Sequence, residues 1–234
     1  MKTTIAGLIA ASLGMATSAL ASVTFTGSGY NPEGNANASG SAMFTISGNT
    51  LSLVLTNTSL LRTAAQGNAL TGVAFNINPG APVLSLTSID MTGGSNLWTS
   101  KTASSGSAAL SGSWTTVLGS SPLGEYGIST SGFNGAFNGG SISKGNSAPN
   151  YGIVAAGTFT GSSSVSFGGS QYPFVQNSLT FTFTGVSGVA ESQIGGVKLL
   201  FGTDGTGVIQ AVPAPGSLAL VGLGAFAAVR KRRR

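Results

Sequence analysis

Apolar and hydroxyl side chains alternate with a period of two wherever the pattern of this chain is readable. Val23 and Phe25 alternate with Thr24 and Thr26, Phe44 and Ile46 flank Thr45, and Leu51, Leu53 and Leu55 alternate with Ser52 and Thr56. Val54 is the one apolar residue on the other face of that third run. Further on, Leu179, Phe181 and Phe183 alternate with Thr180, Thr182 and Thr184. Successive side chains of a strand point to opposite faces, so each run places its large side chains on one side and its hydroxyls on the other. That is the pattern of strands half buried in antiparallel sheets, and threonine on the wet face adds β-propensity without charge.

Turn residues fall between these runs. Ser47-Gly48-Asn49-Thr50 separates two alternating segments, and Gly and Asn tolerate the positive φ of a tight hairpin. Asn78-Pro79-Gly80 ends the Val73, Phe75, Ile77 run, and Asp204-Gly205 follows Val197, Leu199 and Phe201. Stretches such as Ser129 to Asn150 are too rich in Gly, Ser and Asn to be core. No internal repeat returns at a fixed period, and no window outside the two ends has a helical period. The expected fold is all-β: an antiparallel β-sandwich of jelly-roll type over residues 22–211, flanked by an N-terminal signal helix and a short C-terminal membrane helix. Its predicted filling includes Phe25, Phe44, Phe75, Trp114, Phe159, Phe181, Phe183 and Phe201.

The two ends read as processing signals. Residues 1–21 carry an early positive charge at Lys2, an apolar run from Ile5 to Leu20, and the tripeptide Ala19-Leu20-Ala21. Small side chains at Ala19 and Ala21 fit a signal peptidase cleft, which places cleavage after Ala21. At the other end, Val212-Pro213-Ala214-Pro215-Gly216 leads into an apolar or small run to Val229 and then Arg230, Lys231, Arg232, Arg233 and Arg234. A helix over 216–229 is about 21 Å long at ~1.5 Å per residue, against a hydrocarbon core of about 30 Å. The basic cluster holds such a segment with its carboxyl end in the cytoplasm. The prolines block helix propagation upstream and keep the preceding chain extended, as a processing enzyme requires.

The order of Pro-x-Pro motif, glycine-containing apolar run and arginine-rich end, over residues 212–234, resembles the PEP-CTERM sorting domain of exported bacterial proteins. The resemblance implies handling by an exosortase, a transpeptidase-like membrane enzyme. It also implies transient insertion in the membrane through the tail, and release to or attachment at the cell surface, often beside exopolysaccharide. Val212, Pro213, Ala214 and Pro215 then form the sorting motif, and Arg230 to Arg234 the cytoplasmic stop. Where the family has an acidic residue between the prolines this chain has Ala214, which makes Pro213-Ala214-Pro215 a variant. Phrases such as Leu51 to Ser59 and Leu70 to Ile77 are similar to segments of exosortase-associated surface proteins.

Composition narrows the chemistry. Among 234 residues there is no His and no Cys, which excludes Ser-His-Asp and Cys-His nucleophile systems and metal or haem sites built on imidazole or thiolate. Charged residues are only 6%, and half of the ten basic ones are the last five residues. Between the ends, Arg62, Lys101, Lys144 and Lys198 stand against Glu33, Asp90, Glu125, Glu191 and Asp204, so the body is nearly neutral and has no field to attract nucleic acid.

No residue set stands out as catalytic, and no cofactor is expected. Glu125 and Glu191 are the first pair to try for a glycosidase, which needs two carboxylates about 5 to 10 Å apart, but no spacing singles them out. Thr203-Asp204-Gly205-Thr206-Gly207 looks like half a calcium loop with too few carboxylates, and reads better as a glycine-stabilised turn. Trp98, Tyr126, Tyr151 and Tyr172 sit in or beside Gly/Ser-rich stretches and are the candidate sugar platforms; exposure on one face would favour sugar binding, and inward orientation a structural module. The function expected is a non-enzymatic exported structural protein of the cell surface or extracellular matrix, with a carbohydrate-binding module associated with exopolysaccharide as the alternative.

Overall fold

The computed structural model describes residues 21–60, 63, 65–100, 103–105, 110, 114–118, 123–130, 151–159, 173–203 and 205–215. The first strands are β1 (Ser22–Asn31), β2 (Ala36–Ser47), β3 (Thr50–Asn57), β4 (Leu70–Ile77), β5 (Ser85–Met91), β6 (Asn96–Trp98), β7 (Ser104–Ser105) and β8 (Thr115–Leu118). They are followed by β9 (Tyr126–Ser129), β10 (Ile153–Val154), β11 (Phe174–Gln176), β12 (Ser178–Thr184), β13 (Ile194–Phe201), β14 (Gly207–Gln210) and β15 (Val212–Pro213). One sheet runs β15-β1-β2-β3-β12-β5, antiparallel throughout. The other runs β14-β13-β4-β10-β11-β6-β7, with β9 beside β4 and β8 beside β9. Its β10–β11 pair is parallel.

The alternation in the sequence becomes a register. Phe44 stands opposite Leu53, Leu53 opposite Phe181 and Phe181 opposite Ile89, so one row of apolar side chains crosses four strands on the inner face. The threonines between them on β12 face outward and are half-buried. A slip of one residue would turn every one of these side chains to water, so the buried face itself fixes the pairing.

The inner face of the other sheet is supplied chiefly by β4, which is buried on both faces along most of its length. Aromatic rings carry the contact between sheets. Phe44 meets Phe25 edge-on at 5.9 Å and Phe75 of β4 at 5.0 Å, and Phe75 stacks on Tyr126 at 5.6 Å. Trp114 packs edge-on against Phe181 at 4.9 Å. All eight aromatics expected in the core are buried. Phe159 belongs to a smaller cluster with Ala69, Val154 and Phe174.

The connectivity differs from the jelly roll expected from the sequence. Short turns join β1 to β2 and β2 to β3, and a turn that short can only join neighbouring antiparallel strands. Gly48 takes φ 59° in the second turn, where Asn49 Oδ1 accepts the Gly185 and Ser187 N–H groups. The next strand, β4, then crosses to the other sheet instead of returning beside β1. The place beside β1 is taken by β15 from the opposite end of the chain, which makes the first sheet a meander closed by the C-terminal segment.

Among the described residues no helix is long and apolar enough to cross a membrane. Residues 1–20 and 216–234, on which the signal helix and the membrane helix were predicted, lie outside the described residues.

Because Phe44 touches aromatic rings of both sheets, its truncation tests the core. Phe44→Ala should cost about 3–5 kcal/mol in urea unfolding of the exported protein. Tyr30→Ala, at a residue 60% exposed, should stay within about 0.5 kcal/mol.

Candidate sorting and processing site

The C-terminal segment is built into the sandwich before it leaves it. In β14, Ile209 pairs with Leu199 and Gln210 with Lys198 of β13. Ala211 is buried, and its N–H donates to Val197 O at 2.9 Å. One residue later the chain has changed sheets: Val212 pairs with Thr26 and Pro213 with Phe25 of β1, and the Ala214 N–H donates to Thr24 O at 2.7 Å. Gly27 makes this approach possible. A Cβ there would stand 3.0 Å from Gln210 O and 3.1 Å from Ile209 Cγ2, so a side chain would fit only if the Ile209–Ala211 backbone gave way slightly.

Exposure changes along the motif. Val212 is 60% exposed, Pro213 and Ala214 are half-buried, and Pro215 is exposed. The Ala214 N–H faces β1 and backbone groups alternate in direction along a strand, so the ring nitrogens of Pro213 and Pro215 lie on the outer side, away from β1. The antiparallel pairing also fixes where the ends go. Ser22 and Pro215 lie at the same end of the first sheet, and Ala21, the last residue before the predicted cleavage, is exposed there. Ala19 and Arg230 to Arg234 lie outside the described residues.

Beside β15 lies an open groove of about 360 Å³, lined by Thr26, Ser28, Ser39, Thr58, Gln210 and Val212 over the backbone of Gly27 and Gly40. It is polar and uncharged. No aromatic side chain lines it.

The candidate sugar platforms do not share a face. Tyr126 is buried, stacked on Phe75, and its hydroxyl donates to Pro82 O at 2.8 Å. Trp98 is half-buried, one face covered by Phe159 at 4.6 Å, and its Nε1–H donates to Gln176 Oε1 at 2.9 Å. Tyr151 is half-buried against the main core, and Tyr172 lies outside the described residues. For Tyr126 the platform expectation is corrected, because both its ring and its hydroxyl are committed to the interior. Tyr30, overlooked in the sequence, is the exposed aromatic on this part of the fold; it continues the outward parity of Thr24, Thr26 and Ser28, a signal that was there to be read.

The acids also have separate surroundings. Glu191 Oε1 accepts the Ile46 N–H at 2.9 Å, which ties the turn before β13 to β2 in the first sheet. Glu125 precedes β9 in the second sheet, with its N–H donated to Asn76 Oδ1 at 2.9 Å. Glu33 holds the turn after β13, accepting from Thr203 N at 2.6 Å and Thr203 Oγ1 at 3.0 Å. This accounts for the calcium-like segment as a fastened turn, with Asp204 outside the described residues. Among the described residues no three His, Cys, Asp or Glu side chains converge on a metal position.

Together these features define an antiparallel β-sandwich whose Pro-x-Pro segment forms part of its own edge and continues into an apolar, arginine-ended tail. The family model of the PEP-CTERM protein-sorting motif matches residues 211–234. The chain therefore carries a PEP-CTERM sorting motif, which indicates export toward the cell surface and processing by an exosortase-type membrane enzyme. The match begins at Ala211, the residue at which the chain passes from one sheet to the other. No curated protein and no solved structure matches the chain.

Burial, reinforced by the neighbouring Glu125 charge, raises the Tyr126 phenol above its ordinary 10.0. The unfolded chain loses this proton near pH 10 while the fold retains it, so stability is complete below that pH and falls as pH rises through the folded value. Tyr126→Phe should flatten this part of the decline when denaturant midpoints are compared between pH 9 and 11; an unchanged slope would contradict the assignment.

Proposed function

We propose that the protein is a non-enzymatic structural component of the cell surface or extracellular matrix, exported as a sandwich with a removable membrane handle. The supporting observation is the union of a PEP-CTERM motif at 211–234 with a nearly neutral body whose described aromatics chiefly fill a core. Each part of the chain has a role in this reading. Residues 1–21 direct export and are removed after Ala21 by signal peptidase. Val212 to Pro215 are the segment recognised by the exosortase-type enzyme, residues 216–229 hold the chain in the bilayer for a time, and Arg230 to Arg234 stop its passage on the cytoplasmic side.

The outer face of the first sheet suits such a role. Threonine and serine hydroxyls hydrate most of it, and Asp90 on β5 is the charged side chain among its described strand residues, so it presents little charge to the polyanions and polycations of an envelope. A second reading, a carbohydrate-binding module that meets exopolysaccharide, is supported by the hydroxyl-lined groove beside β15. It has less support than the structural reading because Tyr126 and Trp98 are held in interior stacks and offer no shared platform. Retention of the exported protein on polysaccharide gels, lost on Gln210→Ala, would favour it.

Deleting Arg230 to Arg234 tests the main reading. Most of the protein should then fail to reach the surface in its processed form, seen as a shift in mass and in surface labelling of whole cells. An unchanged surface distribution with normal tail loss would overturn the assignment.

A further inference from the structure

We infer that the fold latches its own sorting motif: Pro213-Ala214, while docked as β15 on β1, is withheld from the sorting enzyme, and tail processing draws on the undocked state. The inference rests on the reading of residues 212–215 as that enzyme's recognition segment, and adds how access to it is regulated. A cleft that reads an extended segment must approach its backbone. Here one edge of that backbone already faces β1, with Val212 opposite Thr26, Pro213 opposite Phe25 and the Ala214 N–H given to Thr24 O at 2.7 Å.

The latch is built to release. β15 is two residues long, only Val212 and Ala214 turn their backbone groups toward β1, and the first residue past the strand is held by a single N–H. The segment just upstream is held far more firmly: Ala211 is buried and bonded to Val197 O, and β14 is paired along its length with β13. Release therefore stops at Ala211, and the motif can peel away while the sandwich stays closed. The enzyme sees substrate in proportion to the undocked fraction, so the apparent rate of processing scales with that fraction.

The chain has no cysteine, which permits a clean lock. Thr26 and Val212 are directly opposed, line the same groove, and stand at antiparallel Cα separations of about 4.5–5.5 Å that a disulfide spans. Full-length precursor carrying Thr26→Cys and Val212→Cys is followed for tail loss by mass in membranes of the producing cells, with diamide to close the bridge or dithiothreitol to open it. Closure should slow tail loss at least about tenfold, dithiothreitol should restore it, and wild-type precursor should respond to neither reagent.

Thr26→Pro provides the opposite perturbation. Thr24 O faces β15, so the Thr26 N–H two residues on faces it as well, and its removal loosens the latch without touching the pairing to β2. Tail loss should then become about threefold faster or more. Equal rates with the bridge closed and open, or a Thr26→Pro chain processed no faster than wild type, would overturn the latch while leaving the sorting reading intact. Wild-type precursor that keeps its tail would overturn the sorting reading and the latch with it.

Discussion

The segment Gly207 to Ala214 belongs to both sheets at once, and the relation between fold and function depends on that crossing. Up to Gln210 it is a strand of the second sheet, at Ala211 it turns through a buried backbone bond to Val197, and from Val212 it lies on the first. The sheets are packed through side chains, chiefly Phe44 against Phe75, and the chain passes between them at several points, as at Asn177 between β11 and β12. At Ala211 such a crossing coincides with the start of the sorting motif. A sorting tag on a free tail would be indifferent to the state of the domain; this one begins where the second sheet ends, so its surroundings report whether β1 and β13 are in place.

The prolines of the motif also serve the sheet. An edge strand offers unpaired N–H and C=O groups to any passing strand, and proteins blunt such edges with short strands and proline. β15 is both short and proline-bearing, so the sheet ends in a segment that a further strand pairs with poorly. A body with few charges has little electrostatic repulsion to keep copies apart, which gives this edge protection more weight than it would have in a highly charged protein. The residues that suit an extended recognition segment are the ones that suit a sheet terminus, because both uses call for a chain with few exposed donors.

Much of this was readable in the sequence. The runs at Val23, Phe44, Leu51 and Leu179 repeat often enough for a period of two to appear, and the side-chain parity they gave is the parity observed. The Gly48-Asn49 turn announced its hairpin through positive φ. Sheet membership was not legible. β14 is four residues long and β15 two, too short to show a period, and Pro213 reads locally as an end of structure although here it sits on an edge where its missing donor costs little.

Buried asparagines were equally illegible, because nothing in the local pattern marks them as interior. Asn57 Nδ2 donates to Asn68 O at 3.2 Å and Ile153 O at 2.9 Å, and Asn31 Nδ2 to Gly67 O at 2.6 Å, so residues that look like loop are the polar pins between strands. Tyr126 looked like a loop aromatic because its Gly-rich flank is silent about direction. The stacking partner that turns it inward, Phe75, is some fifty residues away in the chain.

The antiparallel register of β1 with β15 has a consequence for the precursor before either end is cut. Both segments assigned to the membrane join the sandwich at one end of one sheet, through Ser22 and through Pro215, so the proposed precursor is held at two neighbouring points. β1 has ten residues, which at ~3.4 Å each carries the chain about 30 Å away from that end. The turn it reaches, with Tyr30 donating to Asn35 Oδ1 at 2.7 Å, is then the part of this sheet farthest from the bilayer. Beside it Asn31, Gly67 and Asn68 are cross-linked by buried side-chain bonds, so the outermost end is fastened by hydrogen bonds that need nothing from the tail. Loss of the N-terminal segment removes one tether and leaves β1 paired along its whole length to β2, and loss of the segment beyond Pro215 removes the other while Val212 and Pro213 remain beside Thr26 and Phe25. Both cuts therefore change how the sandwich is held, and the pairing that closes the edge of β1 belongs to the part of the chain on the sandwich side of Pro215.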